Sequence, residues 1–120
     1  MLPYNGVTLA YIGDAVYEVI VREHFLNTGD TLVDALHKKT ILYTCAEGQA
    51  KAFERIKDML TEEEMSVFKR GRNAKTDRKA RSASMADYQQ ATGFEAVIGF
   101  LHLTNQKERL MNLCTSVLDK

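Results

Sequence analysis

An all-α protein is the fold class this sequence predicts. Apolar residues recur at three- and four-residue spacing through most of the chain, the single proline (Pro3) precedes every such stretch, and 45% hydrophobic residues over 120 positions can supply a real core. The expectation is a compact helical bundle forming one domain over residues 1–120. The first helix is read from Thr8 to about Thr28 through Leu9, Ile12, Val16, Val19, Ile20 and Phe25, with Gly29 at the left-handed position that closes helices. Asp30 and Thr31 then open a helix to about Lys39, with a bend near Lys39 and Thr40, and a second runs to about Met59.

Thr61-Glu62-Glu63-Glu64 spells a capping box, a hydroxyl at the cap with a carboxylate three residues later, and predicts a short helix to about Arg70 ended by Gly71. Arg72 to Ala86 has no sustained period and reads as the one long loop, a kind of segment that compact domains keep for function. Helical spacing returns from Asp87 to about Leu103. Asn105-Gln106-Lys107-Glu108 reads as a second capping box, opening a last helix with Leu110, Leu113, Val117 and Leu118 inward.

The formal net charge is zero, but seven of the sixteen basic residues and one of the sixteen acids fall between Lys69 and Arg81, leaving nine against fifteen elsewhere. An acidic body repels nucleic acid, so binding to RNA or DNA would be directed through Lys69, Arg70, Arg72, Asn73, Lys75, Arg78, Lys79 and Arg81. Cys45 and Cys114 have no CxxC spacing, which argues for buried thiols and against a disulfide framework or zinc. His24, His37 and His102 are scattered, with no metal-ligand spacing, and the tyrosines sit at helical positions suited to packing. No apolar run of about 18 residues is present to span a bilayer, and no basic-then-apolar start marks a secretory leader, so a soluble cytoplasmic protein is expected.

Two acids interrupt otherwise apolar helical faces. Asp14 follows Gly13 inside the first helix, and Glu95 is flanked on its own face by Ala91, Thr92, Ile98 and Gly99. A glycine in a helix interior costs roughly 1 kcal/mol relative to alanine, which asks for a close backbone approach, and an ionised acid on an apolar face asks for a cation or a metal. Antiparallel packing of the two helices would let both acids face one divalent ion, with magnesium or manganese expected from oxygen ligands. From spacing alone, capping of a neighbouring helix or pairing with Arg22 or Arg109 stays open. Glu18, four residues before Arg22, reads as its helix ion pair.

Tyr11-Ile12-Gly13-Asp14-Ala15-Val16 resembles the signature helix of ribonuclease III nuclease domains, and Phe94-Glu95-Ala96-Val97-Ile98-Gly99 resembles their second acidic motif. Four blocks (9–15, 36–40, 69–75 and 91–96) are more similar still to the mini branch of that family, which lacks a separate double-stranded-RNA-binding domain. The resemblance implies an all-helical homodimer that hydrolyses double-stranded RNA with Mg2+ (Mn2+ as substitute) to leave 5′-phosphates, and that matures the ends of large-subunit (23S) ribosomal RNA precursors. By motif position it gives Asp14 and Glu95 the catalytic, metal-binding roles. Ala10 and Thr92 stand where full-length ribonucleases III carry further acids, which leaves waters, Thr92 or RNA phosphate oxygens to complete the metal shell. A catalytically silent RNA-binding or ribosome-associated module on the same fold is the alternative those two residues motivate.

Overall fold

The computed structural model describes residues 3–29, 31–74 and 84–118, and every regular element among them is helical. The elements are α1 (Gly6–Asn27), α2 (Val33–Thr44), α3 (Ala46–Ile56), a 3₁₀ turn (Lys57–Met59), α4 (Glu62–Arg72), α5 (Met85–Leu103) and α6 (Lys107–Leu118). Lys75, Arg78, Lys79 and Arg81 lie outside the described residues.

α5 runs through the middle of the bundle, packed against α1, α3, α4 and α6. Its sequence explains this. From Gly93 to Leu101 every residue except Glu95 is buried, and a helix that is apolar all round can satisfy itself only by being enclosed. Leu9, Tyr17 and Val21 of α1, Phe53 and Ile56 of α3, Phe68 of α4, and Leu113 and Val117 of α6 close over it. Tyr17 meets Phe94 edge to face with ring centroids 4.9 Å apart, and Phe53 stacks on Phe68 at 3.8 Å.

Two glycines set how closely α1 and α5 cross. A Cβ at Gly13 would stand 1.8 Å from the carbonyl oxygen of Glu95, and one at Gly99 would stand 2.0 Å from the carbonyl oxygen of Leu9. Backbone therefore rests on backbone here, and no side chain fits between.

Several helix boundaries are as the sequence predicts. Gly29 has φ +97°, and Thr61 and Glu64 exchange both capping-box hydrogen bonds, at 2.9 and 3.1 Å. Asn5 caps α1 by accepting from the Thr8 amide at 2.8 Å, and Ser84 caps α5 by accepting from the Asp87 amide at 3.0 Å, each start two residues ahead of the sequence expectation.

Four expectations are corrected. The break between α2 and α3 falls at Cys45, not at Lys39 and Thr40. Cys45 is extended (φ −72°, ψ 166°) and its Sγ accepts from the Gly48 amide at 3.4 Å, while Gly48 lies so near α2 that a Cβ there would be 2.2 Å from the Leu42 carbonyl oxygen. Cys45 is accordingly exposed, and only Cys114 is a buried thiol. Gly71 does not end α4 but lies buried within it, where a Cβ would come 2.8 Å from Cβ of Ala96 on α5. Asn105 is no N-cap: its φ is +61°, and the amides of Asn105 and Gln106 close α5 onto the carbonyls of His102 and Leu101 at 3.2 and 2.9 Å.

Glu64 is buried and takes a two-pronged hydrogen bond from Arg109 (2.8 and 2.9 Å), which also donates to the Met59 carbonyl and so ties α6 to the start of α4. Desolvation works to raise the Glu64 pKa, but Arg109 and the Thr61 backbone outweigh it and hold the carboxyl below the usual carboxylate range. α2 by contrast buries only Thr40, and leaves Val33, Ile41 and Leu42 exposed. Among the described residues no helix is long and apolar enough to cross a membrane.

Gly99→Ala is expected to force α1 and α5 apart, lower stability by about 2–3 kcal/mol and drop the melting temperature by roughly 8 °C or more. Thermal unfolding checks this, and an unchanged midpoint would show that the crossing tolerates a methyl group.

Candidate active site

The crossing that Gly13 and Gly99 permit has a direct consequence for the residues beside them. Asp14 follows Gly13 on α1, Glu95 lies one turn before Gly99 on α5, and their carboxyl groups are within hydrogen-bonding reach of each other. Asp14 is exposed and Glu95 half-buried, so the pair forms a wall that opens to solvent on the α1 side.

Burial first, and then the negative charge of Asp14, push the Glu95 pKa up to about 8, against a smaller opposing pull from a hydrogen bond with Gln49. Like-charged oxygens held together on a partly dry surface form a strong site for a cation. The arginine pairings left open by the sequence are absent among the described residues. Arg22 bonds Glu18 at 2.7 Å, as its spacing predicts, and Arg109 is committed to Glu64.

A hard divalent cation suits this donor set, whose members are carboxylate oxygens, but the protein shell is thin. Among the described residues no group of three or more His, Cys, Asp and Glu side chains is placed to hold a metal. Ala10 is buried and brings no donor, and the Thr92 hydroxyl donates to the Tyr88 carbonyl of its own helix at 3.0 Å, which leaves only its lone pairs for other partners. His24 is half-buried on α1, and His37 and His102 are exposed on α2 and α5.

Sequence reasoning missed Gln49. It sits in the first turn of α3 with 2% of its surface exposed, and its Nε2 donates to Oε2 of Glu95 at 3.0 Å and to the Thr44 carbonyl at 3.0 Å. The available signal was its register: positions 49, 52, 53 and 56 share the buried stripe of α3, and a lone amide on such a stripe needs a partner.

The described part of the basic segment lies at the end of α4. A groove of about 670 Å³ is lined by Glu62, Met65, Ser66, Lys69, Arg70 and Asn73. Lys69 is exposed. Arg70 donates to the Tyr4 carbonyl and so anchors the segment before α1. Arg72 donates to Oδ1 of Asn73 at 3.0 Å and lies over the Phe68 ring at 5.7 Å.

A family model for the ribonuclease III domain matches residues 7–106. The mini-ribonuclease 3 of Clostridium tetani is 48% identical over 116 residues, covering 96% of this chain and 77% of that protein. That of Enterococcus faecalis is 44% identical over 118 residues, covering 97% and 89%. A crystal structure of a Fusobacterium nucleatum protein superposes with a TM-score of 0.91 at 28% identity, covering 100% of this chain and 98% of that one.

The raised pKa of Glu95 has a defined sign for stability. Relative to an unfolded value of 4.5, the folded protein holds an extra proton up to about pH 8, so the stability this group contributes is complete below about pH 4.5 and is lost as pH rises through 8. In EDTA, Glu95→Gln is expected to become more stable than the parent by on the order of a few kcal/mol at pH 8.5 compared with pH 5. Urea unfolding at the two pH values measures this, and a pH-independent difference would contradict the burial of Glu95 beside Asp14.

Proposed function

Because the chain belongs to the ribonuclease III family and is an endoribonuclease by that membership, we propose that it cleaves double-stranded RNA at a divalent-cation site formed by Asp14 and Glu95. The observation that carries this reading is the meeting of two carboxyl groups from distant parts of the chain, with no arginine to neutralise either among the described residues. Mg2+ is the proposed ion, with Mn2+ as a substitute, since both favour oxygen donors and retain waters in a shell the protein fills only partly. A cation at this site would supply Lewis acidity toward the phosphodiester and acidify water.

Asp14 and Glu95 orient and anchor; the acidic wall also keeps the RNA backbone away unless positive charge intervenes. Hydrolysis adds the water oxygen to phosphorus and breaks the bond to the 3′ oxygen, leaving a 5′-phosphate and a 3′-hydroxyl. The duplex is held through Lys69, Arg72 and Asn73, with Arg70 bracing the same corner and Lys75, Arg78, Lys79 and Arg81 extending the positive charge in sequence. Such side chains suit the phosphates and 2′-hydroxyls of A-form RNA, which is read by shape.

The finer assignment is to the ends of a large-subunit (23S) ribosomal RNA precursor, supported by the sequence blocks shared with the mini branch. A precursor substrate fits a cytoplasmic enzyme, and the family match over residues 7–106 supports reading residues 1–120 as a single nuclease domain. A homodimer is also proposed. Tyr11 of α1 is 81% exposed, and Leu32, Val33 and Leu42 are 72%, 76% and 70% exposed, apolar side chains of the kind a second copy would cover. Sedimentation of the purified chain should give a dimer, and a monomer at micromolar concentration would remove this element.

The second reading, a silent RNA-binding module, is favoured by the absence of a third acidic ligand among the described residues. A labelled duplex incubated with Mg2+ and then with EDTA separates the two, because binding without metal-dependent product supports only the silent module. On the nuclease reading, Asp14→Asn and Glu95→Gln each reduce cleavage by at least about a thousandfold, or roughly 4 kcal/mol of transition-state stabilisation, with duplex affinity retained. Wild-type cleavage by either variant would displace the site.

For the basic corner, Lys69→Glu with Arg72→Glu should weaken duplex binding and reduce the slope of log K against log salt by about 1 for each phosphate no longer neutralised. An unchanged slope would take α4 out of the RNA interface.

A further inference from the structure

Gln49 is a costly residue where it stands. It is almost wholly buried, both described bonds of its Nε2 are made to acceptors, and its Oε1 is buried with no hydrogen-bond partner among the described residues. A half-satisfied buried amide is less favourable than an apolar side chain of the same shape. Turning the amide over would bring Oε1 against the Thr44 carbonyl, acceptor against acceptor, so its orientation is fixed by that neighbour.

The backbone fixes where that amide starts. Cys45 breaks α2 from α3, Gly48 lets the corner close onto the Leu42 carbonyl, and the Gln49 amide nitrogen bonds the Cys45 carbonyl at 2.9 Å. Thr44, whose carbonyl holds Nε2, is itself bonded through Oγ1 to the Thr40 carbonyl at 3.1 Å. The α2–α3 corner thus holds one N–H of that amide on the Thr44 carbonyl and presents the other to Glu95 of α5.

Resting on the proposed metal-dependent nuclease site, we infer that Gln49 is its positioning residue: Nε2 occupies Oε2 of Glu95 and so reserves Oε1 of that carboxyl for the cation shared with Asp14. Gln49 touches neither the cation nor the RNA. It acts by choosing which oxygen of Glu95 is available and by holding the carboxyl against the corner. This gives a two-carboxylate site an orientation that a third acidic ligand would otherwise impose.

The test uses the full chain. Gln49→Met keeps the length and removes the donor. It is expected to lower kcat about 10–100-fold and to weaken Mn2+ binding, followed by electron paramagnetic resonance, by a similar factor, with KM for an RNA duplex and the circular dichroism spectrum unchanged. A second measurement leaves Gln49 unaltered. In 15N–1H spectra of the wild-type protein the Gln49 side-chain amide is expected to shift when Mg2+ is added, and in Glu95→Gln it is expected to stay put.

Wild-type protein that cleaves only with metal, beside a Gln49→Met variant of unchanged kcat and Mn2+ affinity, overturns the positioning role and leaves the nuclease reading standing. A Gln49 amide blind to Mg2+ in a wild-type protein that does cleave likewise overturns it. Wild-type protein inert with metal overturns the nuclease reading itself, and the role of Gln49 falls with it.

Discussion

Backbone contact between α1 and α5 is the constraint on which the rest of the molecule depends. Gly13 faces the carbonyl of Glu95 and Gly99 faces the carbonyl of Leu9, so each helix supplies the space the other needs. This proximity brings the carboxyl groups of Asp14 and Glu95 together, and their mutual repulsion, added to burial, is what makes the site receptive to positive charge. The folded protein thus carries an electrostatic cost at the place where its chemistry is proposed, offset by the enclosed α5 and the core around it.

Much of this is legible in the sequence because glycine and acid side chains in apolar helices break local rules, and such breaks mark function more often than packing. The pairs Gly13-Asp14 and Glu95-Gly99 announce a close crossing without saying what approaches. Thr61 and Glu64 announce a cap because their chemistry at that spacing has few other uses. Where residues have two uses, sequence alone chooses wrongly. Gly71 serves close packing against Ala96 and not helix termination, and Asn105, able both to cap a start and to adopt positive φ, does the second. Cys45 gives no signal of a break because a thiol is a weak acceptor, and only the approach of Gly48 to Leu42 shows why the chain turns there.

The role of Gln49 is hard to read from the sequence for a different reason. A neutral amide carries no charge signature, and its meaning depends on α3 lying beside α5, a relation between residues 46 positions apart. The basic segment presents the converse case: its charge is plain in the sequence, yet the described residues assign Arg70 to the Tyr4 carbonyl and couple Arg72 to Asn73. Charge alone indicates a region, and geometry divides that region into anchoring and recognition.

The central claim is that Asp14 and Glu95 act on one cation together, and a double-mutant cycle on Mn2+ affinity tests it most directly. If the two carboxylates share an ion, Asp14→Asn and Glu95→Gln will each weaken binding severely, and the double variant will bind no more weakly than the worse single one. Losses that simply add, or a single variant with undiminished affinity, would contradict a shared site.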